Sequence, residues 1–170
     1  MLFPRLALAA ALLMAGALPV AAHVTLETQQ APAGSTTRAT FRIPHGCEGA
    51  ATTRVTVRLP EGTANALPMP KPGWRLTTVP RPNQPPPTGH GAVPQLAEVI
   101  WEGGPLEHHH YDEFVIRLRL PDTPGQLLYI PVVQDCVDGS QAAWVEIPEP
   151  GRRVTDYRMP APAIRLTPRS

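Results

Sequence analysis

The most specific chemistry on offer in this chain lies at Ala21-Ala22-His23-Val24. An apolar run ends there in small residues of the kind a signal peptidase accepts, so cleavage after Ala22 makes His23 the first residue of the mature chain. An internal histidine offers a metal one imidazole nitrogen. An N-terminal histidine offers its free amine and its Nδ1 together and closes a six-membered chelate on one ion. Such a nitrogen pair suits Cu(II), which takes tetragonal nitrogen and oxygen sites and heads the divalent affinity order.

The other histidines are weaker candidates. His108, His109 and His110 run consecutively between Glu107 and Tyr111. In a strand they would point alternately to opposite faces, so three of them face one ion only if the segment loops. They are read as a solvated loop, with a weak adventitious metal site as the alternative. His45 sits in Pro44-His45-Gly46-Cys47-Glu48-Gly49, a segment with turn chemistry, and His90 lies between two glycines. With the 108–110 run, these are the residues that could complete a two-histidine brace, which a copper oxygenase would need.

Cys47 and Cys136 are the only cysteines. An even pair behind a signal peptide is expected to form a disulfide, which leaves no thiolate for a metal and argues against a blue-copper centre. No Walker loop is present, and Gly89-His90-Gly91 is only a fragment of a dinucleotide fingerprint. Ser35, Ser140 and Ser170 are the only serines, and none sits in a nucleophile elbow. A binding role is expected, not an enzyme.

The elements that must position these residues follow from composition and pattern. Residues 1–22 carry one basic residue, Arg5, and then an apolar stretch too short and Ala-rich for a membrane span, as expected of a secretory signal. Removing them from 170 residues leaves 148, residues 23–170, enough for a single domain with a real core. The C-terminal segment is too short and charged to anchor in a bilayer, so the mature chain is expected to be free of any membrane span and extracytoplasmic, in the periplasm. Fifteen Lys and Arg, less Arg5, balance fourteen Asp and Glu, so no net field favours nucleic acid.

The sequence holds 23 prolines, and no helix-period segment of ordinary length escapes them. Alternation predicts strands over residues 23–27, 38–43, 54–59, 74–79, 96–101, 114–120, 127–133 and 142–147, with Pro72-Gly73 at the centre of a type II turn and 81–94 a long surface loop. About eight strands punctuated by turns indicate an all-β fold, a two-sheet β-sandwich of immunoglobulin-like or cupredoxin-like outline.

Six segments in order, His23-Val24-Thr25-Leu26-Glu27, Pro44 to Gly49, Met69-Pro70-Lys71-Pro72-Gly73-Trp74, Tyr111-Asp112-Glu113-Phe114, Pro131-Val132-Val133-Gln134-Asp135-Cys136 and Trp144-Val145-Glu146-Ile147-Pro148, together resemble the YcnI-like family of bacterial extracytoplasmic copper-binding domains. The resemblance covers nearly the whole mature chain. It implies a β-sandwich whose N-terminal histidine binds Cu(II) as a mono-histidine brace with a glutamate and a nearby tryptophan. It also implies a role in copper delivery or homeostasis alongside another extracytoplasmic copper chaperone. Carried over, the brace is His23, the glutamate Glu113 and the tryptophan Trp144. In a regular strand Glu113 would share the face of Val115, Arg117 and Arg119, while Asp112 would share that of Phe114. A bulge would be needed to re-aim Glu113, and Asp112 stands as the alternate ligand. The 108–110 run is no part of the family pattern. A metal-free interaction domain remains the other alternative.

Overall fold

The alternation of Arg38 to Ile43 has its consequence in a computed structural model, which describes residues 23–85, 87–89 and 93–169. The expected signal segment and His90 lie outside the described residues. Ala39, Phe41 and Ile43 are fully buried while Arg38 and Arg42 face out. This strand, β3 (Thr36–Ile43), belongs to a four-stranded sheet with β1 (Thr25–Leu26), β5 (Ala64–Pro68) and β8 (Asp112–Arg119), in the order β1-β3-β8-β5. A five-stranded sheet, ordered β11-β10-β4-β7-β6, faces it. Its members are β4 (Thr52–Arg58), β6 (Trp74–Pro80), β7 (Leu96–Leu106), β10 (Val132–Cys136) and β11 (Gln141–Trp144). A third sheet, ordered β2-β12-β9, is built from β2 (Gln30–Pro32), β9 (Leu127–Tyr129) and β12 (Ala163–Thr167). All three feed one hydrophobic core. Among the described residues the helical content is one 3-10 turn, Val154–Asp156, and the all-β sandwich is as the alternation indicates.

Aromatic packing joins the two larger sheets. The Phe114 ring meets Trp101 and Trp74 edge-on at centroid distances of 5.3 and 5.1 Å, a geometry that aligns ring edges with π faces. Trp74 is delivered by the expected turn: Gly73 adopts a φ of 78° and the Trp74 N–H donates to the Lys71 carbonyl at 3.1 Å, as a type II turn requires. The proline-bearing strand ends of β2, β5 and β6 all belong to edge strands, where a missing N–H breaks no interior ladder.

Several elements depart from the sequence reading. The span 127–133, read as one strand, is split at Pro131: β9 joins the three-stranded sheet and β10 takes an interior place in the five-stranded one, between β11 and β4. Because proline cannot donate to a ladder, the chain changes sheets there. The strand read as ending at Trp101 continues to Leu106 through Gly103 and Gly104, both at positive φ. β2, β5 and β12 were not expected, and β11 ends at Trp144, short of Ile147.

The disulfide Cys47–Cys136 is formed, with Cα atoms 6.1 Å apart. It clasps the loop after β3, in one layer, to the end of β10, in the other. Gly46 makes that loop possible, because a Cβ there would run into the Ala50 carbonyl. The bridge spans 89 residues, so the chain-entropy model gives it a contribution of roughly 4–5 kcal/mol. Replacing both cysteines by serine should lower the unfolding free energy by about that amount, measured by denaturant titration. A loss below about 1 kcal/mol would mean that the reduced chain keeps the loop closed unaided.

Candidate metal centre

His23 owes its position to the two residues that follow it in the buried pattern. Val24 and Leu26 are each 3% exposed, Thr25 pairs with Arg42 and Leu26 with Phe41, and the Glu27 N–H donates to the Thr40 carbonyl at 3.0 Å. The N-terminal end of the domain is thereby stitched to β3 and not frayed. The exposed His23 side chain packs edge-on against Trp144, with ring centroids 5.4 Å apart and planes inclined by 72°. Trp144 is 4% exposed, and its indole N–H donates to Gln134 Oε1 at 2.8 Å. His23 and Trp144, which the family resemblance pairs, are therefore brought together by elements of opposite layers. Beside it opens a groove of about 460 Å³ whose walls include Val24, Leu26, Tyr129, Ala161 and Arg165. Among the described residues these walls carry no carboxylate.

Glu113 and Asp112 are not brought to His23. Thr25, Arg42 and Glu113 form one row across β1, β3 and β8, so at a strand spacing of about 4.8 Å the Glu113 backbone lies roughly 10 Å from that of Thr25. His23 is two residues further along. The β3–β8 ladder runs from Thr36 opposite Arg119 to Ile43 opposite Asp112 with no shift of register, so the bulge that would re-aim Glu113 is absent. Glu113 faces outward and accepts from Arg42 Nε at 2.9 Å, while Arg42 Nη2 reaches Glu27 at 3.1 Å. The hydrogen bond that Arg42 donates to Glu113, helped by the charge of Glu27, raises the pKa of Arg42 above its ordinary value. Asp112 accepts from Lys71 Nζ at 2.6 Å and from the Glu113 N–H at 2.8 Å. Both carboxylates are already matched to cations.

β3 runs on into the loop 44–50, toward which the β1–β3 register points when it is continued past Thr25. The loop is pinned by the disulfide, by the Ala50 N–H on the Cys47 carbonyl at 2.7 Å, and by Gln134 Nε2 on the His45 carbonyl at 3.0 Å. It carries His45, half-buried, and Glu48, an exposed residue at φ 41° whose carboxylate meets Arg158 only at 3.5 Å. Glu48 is a carboxylate that reading in strands did not single out, and the disulfide at the adjacent Cys47 holds its stretch of loop.

The histidine run does loop. The His110 N–H donates to the Glu107 carbonyl at 3.0 Å and closes a turn. His108 faces His45 at 5.4 Å between ring centroids, and His109 packs on His108 at 5.1 Å. His108 Nδ1 accepts the Gly49 N–H at 3.1 Å, which puts the ring proton on Nε2 in the neutral form and leaves neither nitrogen with a lone pair open to an ion. Among the described residues no group of three or more His, Cys, Asp or Glu converges on a metal position. An N-terminal chelate needs no such group, because one residue supplies two of its donors.

Residues 23–166 match the family described as "Domain of unknown function (DUF1775)", which is the domain of the YcnI family, and the chain belongs to it. An uncharacterized protein from Nocardia farcinica, whose crystal structure reveals an immunoglobulin-like fold, is similar to it with 27% identity and a TM-score of 0.68. That match covers 85% of this chain and 98% of that one. No curated protein matches.

In a Cu(II) titration of protein beginning at His23, Glu113→Gln should cost less than about threefold in affinity, since its carboxylate is engaged by Arg42 on the outward face of β8 and would act at most as an outer partner. A loss of tenfold or more would mean that loading pulls Glu113 away from Arg42.

Proposed function

We propose that this member of the DUF1775 family is an extracytoplasmic Cu(II)-binding protein, serving copper delivery or homeostasis from a mono-histidine brace at a mature N-terminus formed by His23. The observation that carries the reading is the anchoring of His23 by β1 with its ring against Trp144. Further support comes from a family match that begins at residue 23 and from the bridged cysteines, as expected of a chain exported to an oxidising compartment. Among the described residues no helix is long and apolar enough to cross a membrane.

Copper is the cargo here. Amine, imidazole and carboxylate favour Cu(II) over the reduced ion. His23 would supply both nitrogens, and Trp144 would limit water on one side of the ion. For the carboxylate, the resemblance favours Glu113. Positions left by so few protein donors stay open to a donor from another extracytoplasmic copper chaperone.

A second reading, a copper oxygenase with a two-histidine brace, has one observation in its favour. Loop 44–50, toward which the β1–β3 register points past Thr25, carries His45. An electron paramagnetic resonance spectrum with two imidazole nitrogens would select it, and one with a single imidazole would reject it.

The deciding experiment compares protein verified by mass to begin at His23 with protein carrying one alanine before it. The alanine removes the chelate but keeps the imidazole, and should cost roughly a hundredfold or more, beyond the usual effect of losing an outer partner. A free α-amino group ordinarily holds its proton up to about pH 7.7–8.0. Copper must displace that proton, so the affinity of the native form should rise with pH from roughly 5 to 8, with proton release on loading. The extended form should follow a shallower curve. Equal affinities would overturn the brace and turn attention to His108, His109 and His110.

A further inference from the structure

We propose that Gln134 is the positioning residue of the N-terminal site, holding the Trp144 indole against His23. The proposal rests on the reading of His23 as the copper-binding end. Gln134 lies in the middle of β10 at 1% exposure, opposite Val55 on one neighbouring strand and Ala142 on the other. A buried amide in such a place is costly unless its polar atoms find partners. Here they do: Oε1 accepts the Trp144 indole N–H at 2.8 Å, and Nε2 donates to the His45 carbonyl and to Thr52 Oγ1, both at 3.0 Å. The set fixes the orientation of the amide, because exchanging its oxygen and nitrogen would oppose donor to donor at the indole and acceptor to acceptor at the His45 carbonyl.

An apolar residue of similar volume would fill the same space, so packing alone does not call for glutamine. What an apolar residue cannot do is fix the rotation of the indole. Without Oε1 the N–H is buried and unpaired, a state that costs on the order of 1–3 kcal/mol. The indole then relieves it by turning toward water, away from the ring of His23. The same amide ties the indole to loop 44–50 through His45, and through Thr52 to the neighbourhood of the disulfide, since Thr52 Oγ1 lies 3.6 Å from Cys136 Sγ. Gln134 therefore sets the position of Trp144 by reference to the most rigid part of the loop, and copper affinity depends on it without contact to the ion.

The test uses the mature protein and has one readout without metal and one with it. In metal-free Gln134→Met, proton NMR should show loss of the cross-relaxation between the His23 and Trp144 rings and faster exchange of the Trp144 indole N–H. With Cu(II) added, affinity should fall roughly tenfold, the lower end of what outer partners of a metal site contribute, with an altered electron paramagnetic resonance spectrum. If Gln134→Met does not fold, Trp144→Phe, which keeps a ring but no N–H for Gln134 Oε1, should likewise lose the cross-relaxation between the ring at 144 and His23 and lower copper affinity roughly tenfold. A folded variant that lacks the hydrogen bond yet retains the ring contact and native copper affinity would overturn the proposal. If the alanine-extended protein binds Cu(II) as tightly as the native form, it is the copper reading that fails, and the metal-free contact still decides the role of Gln134.

Discussion

Everything distinctive about this site depends on keeping His23 still, and the burial of Val24 and Leu26 does that. Fixing a residue's backbone costs about 1–2 kcal/mol, and burying an aliphatic side chain returns roughly 1.5–3 kcal/mol. Over residues 24–26 the two nearly cancel. The main-chain bonds to β3 and the Glu27–Thr40 bond tip the balance toward order. β1 is two residues long, and His23 lies two residues before its start, on the side of exposed Thr25. Thr25, between the two buried residues, is exposed.

The second constraint is the loop that β3 runs into. Its disulfide joins the two layers, and Gln134 reaches it from the centre of the five-stranded sheet. His23 is thus set by one layer and Trp144 by the other, and their relative position is only as good as the attachment between the layers. The Phe114, Trp101 and Trp74 contacts make that attachment in the core, and Lys71, over the Phe114 ring at 5.2 Å and paired with Asp112, covers it from outside. Asp112 has a structural duty in this arrangement, which accounts for its presence beside Glu113 without any metal.

The sequence made legible whatever depends on alternation and on local turn chemistry. The buried faces of residues 39–43, 55–59 and 114–120 are those the pattern marks, the Pro72-Gly73 turn is as read, and the cysteines pair. β2, β5 and β12 escaped because each is an edge strand or a short strand beside one, with too few residues for a period to register. The splitting of 127–133 escaped because both halves are apolar, and only the destination of the chain after Pro131 separates them. At the site, the pairing of His23 with Trp144 came from the resemblance, not from spacing, since the two are 121 positions apart in the sequence. The strand rule was informative about Glu113: a regular ladder turns it outward, and the ladder is regular. Glu48 escaped because it sits in a loop, where no period assigns a face.

The electrostatics of the outer face bear on which carboxylate serves an ion at His23. Arg42 lies between His23's strand and Glu113, bonded to Glu113 on one side and Glu27 on the other. For Glu113 to reach a cation at His23, Arg42 would have to give up that partner while remaining charged, keeping only Glu27. These groups are solvated, so each pairing is weak by itself, but the geometric demand is severe, because Glu113 would also have to cross the width of β3. Glu48 is under neither constraint, since its side chain is exposed and meets Arg158 only at 3.5 Å. On the copper reading proposed above, an anchored histidine and a fixed indole would take up and release an ion with little rearrangement of the frame, which suits cargo better than a permanently bound cofactor.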